Sequence, residues 1–167
     1  GDYVQYWING NNYKFAAVVN GEVTTNTTTG MPATIAYEAD GTTDLLFAVA
    51  GAVGKESANS AVEFTFAHLL SKVKFTFANG FTTQNASVEV KNIKMTAPEK
   101  GTIALNVENW WDNDDWKVEG TKTLEFGNVE GGAQLGLGDV KEADEELLTI
   151  PAGKDQTYKV TFDVIVY

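Results

Sequence analysis

The chain of 167 residues contains no cysteine. That excludes disulfide staples, thiolate metal sites and cysteine nucleophiles together. It carries one histidine, His68. A Ser-His-Asp triad therefore has a single candidate base, and a zinc site needs carboxylates for its other ligands. No apolar run approaches the roughly 20 residues of a membrane-spanning helix. Positive charge is scarce: 12 basic residues against 23 carboxylates leave a formal charge of −11. Such a field repels nucleic acid and anionic membrane surfaces and favours solubility. Catalytic motifs are missing too. There is no G-x-S-x-G elbow and no H-E-x-x-H, and the glycine-rich "GNVEGGAQLGLGD" at 127–139 lacks the lysine of a phosphate-cradling loop. The expectation is a non-enzymatic protein with no catalytic residue, cofactor or metal. The chain opens at Gly1-Asp2 rather than at methionine, so a mature or trimmed start is expected.

What is present is a period of two. Tyr13, Phe15, Ala17 and Val19 alternate with their neighbours, as do Val62, Phe64 and Phe66, then Val73, Phe75 and Phe77. Val160, Phe162, Val164 and Val166 close the chain. Alternation sends one row of side chains to a core and the other to water. Turn-formers separate the runs. "VNGE" at 19–22 and "ANGF" at 78–81 read as hairpin turns, and "EADGTTD" at 38–44, "APEKG" at 97–101 and "PAGKD" at 151–155 as loops. The pattern predicts an all-β fold, an antiparallel β-sandwich or barrel with long loops, forming a single domain over 1–167. An apolar run reaching Tyr167 predicts that the last strand is tied into a sheet or that the chain continues.

Around the histidine, the apolar row changes phase. Val62, Phe64, Phe66, His68 and Leu70 are even; Val73, Phe75 and Phe77 are odd. One extra residue in the strand produces this, as at a β-bulge or a sheet-switching bend. His68, Phe66, Leu70 and Val73 are thus expected to form a scaffold bend. The histidine is expected to fill core space and bond a freed backbone carbonyl; the alternative is a ligand or catalytic role. A second shift falls near Asn92, where Val88 and Val90 give way to Ile93 and Met95.

The stretch "NVENWWDNDDWKVEG" at 106–120 holds three of the four tryptophans. Trp110, Trp111 and Trp116 can stack on sugar rings while Asp112, Asp114 and Asp115 bond hydroxyls or a hard cation. The simpler reading is that one or two tryptophans cap the end of the sandwich and the aspartates form a turn, since Asp and Asn side chains satisfy nearby amides. The glycine required by a calcium loop is absent.

Two further stretches carry a resemblance. "TTDLLFAVA" at 42–50 and "AVEFTFAHLLSKVKFTFANG" at 61–80 are similar to the signature region of the fimbrillin-like family of Bacteroidales surface proteins. Asp44, Leu45, Leu46, Phe47 and Ala48 stand in its first half; Phe66, His68, Leu69, Leu70, Ser71, Lys72, Val73 and Phe75 stand in its second. "LLTIPAGKDQTYKVTFDVIVY" at 147–167 resembles the family's late Ile-Pro and following strand. The resemblance implies a Greek-key sandwich of the transthyretin-like type. It implies export to the outer membrane and cell surface, with membrane attachment only through a lipid anchor that this sequence lacks. It implies a structural or adhesive subunit of a fimbria, with other subunits or a host surface protein or glycan as partners. Assembly would run through exposed strand edges. The terminal runs are the expected assembly strands, through Tyr3, Val4, Tyr6 and Ile8 and through Val160, Phe162, Val164 and Val166. The alternative is a surface-displayed binding module using the Trp110–Trp116 loop.

Overall fold

The computed structural model describes residues 8, 10–52, 61–82, 85–105, 116–151, 153 and 156–167. Its strands are β1 (Tyr13–Val19), β2 (Glu22–Thr25), β3 (Pro32–Glu38), β4 (Leu46–Ala52), β5 (Ala67–His68) and β6 (Ser71–Val73). They continue as β7 (Thr76–Ala78), β8 (Val88–Ala104), β9 (Lys117–Gly127), β10 (Val140–Glu142), β11 (Leu147–Thr149) and β12 (Lys159–Val166). Every pairing between these strands is antiparallel.

The 17-residue β8 organises one layer. Its N-terminal half pairs with β12 and its C-terminal end with β3, while β9 lies along the opposite edge. Asn92 breaks its alternation with a φ of 53°, at the point where the register against β12 shifts. A left-handed residue costs Asn less than most, because its short polar side chain bonds locally. The extra residue lets Val88 and Val90 share the buried face with Ile93 and Met95 despite their opposite parity. The bulges bend the strand, and the sheet curls like half a barrel.

"APEKG" is not a loop. β8 runs straight through it, with Pro98 fully buried. Pro98 lies between Thr96, the last residue paired with β12, and Lys100, the first paired with β3. A proline is tolerated at such a seam because the ladder on that edge is already interrupted. Gly101 is needed for a different reason. A β-carbon there would lie 2.7 Å from the ring of Trp116, which closes over the backbone.

Neither Asn20-Gly21 nor Asn79-Gly80 makes a hairpin. Asn20 has the left-handed φ of 65° that such a turn requires, yet β1 pairs with β4 and β2 with β3. The turn carries the chain from one sheet to another. Gly21 is pressed into the corner, where a β-carbon would sit 2.6 Å from Ile35. Asn79 is buried instead of exposed, its amide donating to the carbonyls of Ala86 and Leu135 at 3.0 Å each. At Asn79 side-chain bonding wins over turn formation, whereas Asn20 keeps the turn and changes which strands it joins.

The facing layer is built in pieces. Residues 67–78 touch three partners in turn: β5 on β4, β6 on β11 and β7 on β10. The chain breaks step at Leu69-Leu70 as it leaves one ladder for the next. The row expected to face inward before that break faces outward. Ala67 lies opposite the fully buried Phe47, and cross-strand neighbours share a face. Ala67 and Leu69 therefore turn toward the core, leaving His68 exposed and Phe64 and Phe66 partly so.

Two apolar clusters fill the space between layers. One gathers Ile35, Phe47, Ile103, Trp116 and Ile150 under β1 and β4. The other gathers Val90, Ile93, Met95, Phe126 and Leu135, with Phe75 and Phe77 against it.

Candidate assembly edge

The second cluster is unfinished on one side. Strand β12 lies at the end of its sheet, with β8 its sole strand partner among the described residues. Tyr167 and Ser87 exchange N–H···O bonds of 2.9 and 3.3 Å. Alternate residues of a strand address alternate edges, so Ile165, Asp163 and Thr161 also address β8. The N–H and C=O groups of Val160, Phe162, Val164 and Val166 point to the open edge.

The side chains of those same four residues lie on the core face. Val160, Val164 and Val166 stand opposite Met95, Val90 and Val88, all buried. Nevertheless, the row remains 37, 45, 49 and 53 % exposed in chain order. An inward-facing apolar row with that exposure is only partly covered from above by the described residues. The layer above ends at β7, whose described strand partner is β10. Phe77 of β7 reaches across to Phe162, ring centroids 5.1 Å apart in an edge-to-face contact. Beyond that contact the two layers part. Among the described residues, β12 thus combines outward backbone groups with no strand partner, apolar side chains and a partly uncovered face, the combination that makes an edge strand receptive to another strand.

The histidine lies elsewhere. Asp40 opens the 40–44 loop by accepting N–H bonds from Thr42 and Thr43 at 2.8 and 2.7 Å and the Thr43 hydroxyl at 2.5 Å. Tyr37 donates its hydroxyl to the Thr43 carbonyl. Burial, reinforced by Asp40 and Asp44, pushes the Tyr37 hydroxyl up to about 12, so it stays a donor. The loop delivers Asp44 beside His68, whose Nδ1 contacts the Asp44 Oδ2. The histidine's partner is therefore a carboxylate rather than a backbone carbonyl, and its side chain is 72 % exposed. This contact joins the two halves of the signature stretch.

The loop gives a pH prediction. Hydrogen bonds from Thr43 and Thr42 lower the Asp40 carboxyl from its ordinary 3.8 to about 2. A depressed folded-state value adds stability that is present above the unfolded value and lost as pH falls through the folded one. Between about pH 4 and 2 the protein is expected to lose stability, and Asp40→Asn to lessen that loss while leaving the slope above pH 5 unchanged. Urea unfolding midpoints across the range measure it. Identical acid slopes would contradict the role given to Asp40.

Of the tryptophan segment, Trp116 is 8 % exposed and belongs to the core. Trp110, Trp111, Asp112, Asp114 and Asp115 lie outside the described residues, as do Tyr3, Val4 and Tyr6. Ile8 is described and largely exposed. The described residues include no group of three or more histidine and acidic side chains placed to hold a metal ion, and no helix long and apolar enough to cross a membrane.

Comparison with protein families gives a match to the family described as Fimbrillin-like, over residues 1–165. The chain belongs to the fimbrillin-like family. Comparison with curated proteins gives no match, and neither does comparison with solved structures. The fimbrillin-like family is one of surface proteins with a structural rather than catalytic character, associated with fimbrial subunits. Sequence reasoning picked out β12 by its alternation. It missed the open side of β7 and the Asp44–His68 contact, because both depend on which strands become neighbours.

Proposed function

We propose that this fimbrillin-like chain is a structural or adhesive subunit of a cell-surface fimbria and assembles by strand addition at the outer edge of β12. The observation that carries this reading is the coincidence of free backbone groups and an uncovered apolar row on Val160, Phe162, Val164 and Val166. A stable monomer usually blunts such an edge with charge, proline or a covering loop. The strand is supplied by a neighbouring copy through the Tyr3–Ile8 stretch, whose Val4, Tyr6 and Ile8 form an uninterrupted apolar row. On this reading 1–167 is one Greek-key sandwich of the transthyretin-like type, completed between subunits. It is exported and held at the outer membrane by a lipid anchor outside this sequence.

Sedimentation velocity over a concentration series tests it. The wild-type chain is expected to self-associate, and Val164→Pro to stay monomeric with a melting temperature lowered by no more than about 4 °C. The proline removes an outward N–H and no bond to β8. A wild-type chain that stays monomeric throughout, or a Val164→Pro variant that associates as well as wild type, would overturn the reading.

A further inference from the structure

The open edge is not uniform. At its centre, where β12 passes beneath the turn after β7, lies a cavity of about 220 Å³. Phe77, Phe81 and Phe162 stand around it, with Val90, Val164 and Leu135 among its other walls. Small-molecule sites are typically larger, roughly 300–1,000 Å³. A space of this size and lining suits one bulky side chain.

Its walls are arranged for that use. Asn79 lines the cavity, but both ends of its amide are engaged: Nδ2 donates to Ala86 and Leu135, and Oδ1 accepts the Phe81 N–H at 3.0 Å. That leaves its amide little capacity to bond an entering group, and the cavity selects by shape and apolarity. The bond from Phe81 also fixes the turn that holds this ring over the opening. Phe81 itself is 43 % exposed, an aromatic ring with an unfilled side. Buried, well-packed aromatic anchors carry most of the energy of a typical interface.

The position of the cavity follows the ladder. Phe162 and Val164 present backbone groups to the open edge and side chains to the cavity wall. A residue of an added strand that pairs with either sends its own side chain to the same face.

We infer that this cavity is the anchor pocket of the β12 edge, and that it takes one bulky side chain of the incoming strand, Tyr6 of a second copy. The inference rests on the strand-addition reading above. In Tyr3–Ile8 the row Val4, Tyr6, Ile8 is apolar throughout, whereas the other row has Gln5 at its centre. Tyr6 is the middle and bulkiest member of that row. The ladder supplies sequence-independent affinity, and the pocket supplies the choice of partner.

A labelled peptide of residues 1–9, GDYVQYWIN, tests this by fluorescence polarisation against the full chain, held below the concentration at which it self-associates. The Tyr6→Ala peptide is expected to bind at least about tenfold more weakly, as loss of a buried aromatic anchor implies. Phe81→Ala in the protein should weaken the native peptide by about fivefold or more and leave the Tyr6→Ala peptide within about twofold, a coupled pair in a double-mutant cycle. Phe162→Leu serves as a second pocket variant, and a thermal melt confirms that each variant folds. Equal binding of the two peptides overturns the anchor pocket and leaves strand addition standing. Self-association of the chain without binding of either peptide overturns the assignment to Tyr6. Failure of both removes the strand-addition reading itself.

Discussion

Phe126→Ala is expected to cost about 3–5 kcal/mol of folding stability, the range for deleting a fully buried aromatic. Phe126 is 0 % exposed near the end of β9. It is the extra residue at the register shift where Ile93 pairs with Gly127 and Lys94 with Glu125. Its ring meets that of Phe75 edge-to-face, centroids 4.7 Å apart. Phe75 belongs to the segment joining β6 and β7, so this contact ties the pieced layer to the continuous one. The cavity left by alanine would lie between the layers, in the cluster that Phe126 shares with Ile93, Met95 and Leu124. Since whole domains are stable by about 5–15 kcal/mol, much of the total is at stake. Equilibrium urea unfolding measures the loss. A cost under about 1 kcal/mol would mean that the layers do not meet at Phe126.

A pair of prolines one residue apart is expected to behave oppositely. Asp163→Pro should destabilise the protein by about 3 kcal/mol or more, because it deletes a ladder N–H and forces the ring against β8. Val164→Pro should cost less than about 1 kcal/mol, because its N–H faces the open edge. The difference follows from the Tyr167–Ser87 exchange, which fixes which parity of β12 addresses β8. Asp163 also accepts a bond of 2.7 Å from the Asn92 side chain across the bulge. Asp163→Ala removes that bond alone and separates the two contributions. Chemical denaturation of the three variants reads the result. Equal costs for the two prolines would show that β12 lies in a different register from that described here.

Much of the strand content is legible in alternation alone. β1 begins and ends where the Tyr13–Val19 pattern does, and the phase change near Asn92 is a bulge in the fold. The failures share a cause. "APEKG", "VNGE" and "ANGF" contain the residues of loops and hairpins, and local chemistry cannot tell which strand becomes the neighbour. Pro98 stays in a strand because a ladder changes partner there. Asn20-Gly21 turns between sheets, and Asn79 turns its amide inward. The phase of residues 62–68 depends on a two-residue pairing with β4, invisible without the partner. The assembly edge was half legible. The apolar row of β12 is plain in the sequence, but that row reads the same whether covered or bare. Its exposure is a property of the layer above, which ends too soon.

The most direct measurement is residue-resolved amide hydrogen exchange along β12, in the monomer and in the self-associated form. Strand addition predicts that Thr161, Asp163, Ile165 and Tyr167 are protected in both. It predicts that Val160, Phe162, Val164 and Val166 exchange quickly in the monomer and become protected on association. An assembled form in which those even-numbered amides still exchange as fast as in the monomer would contradict strand addition at this edge.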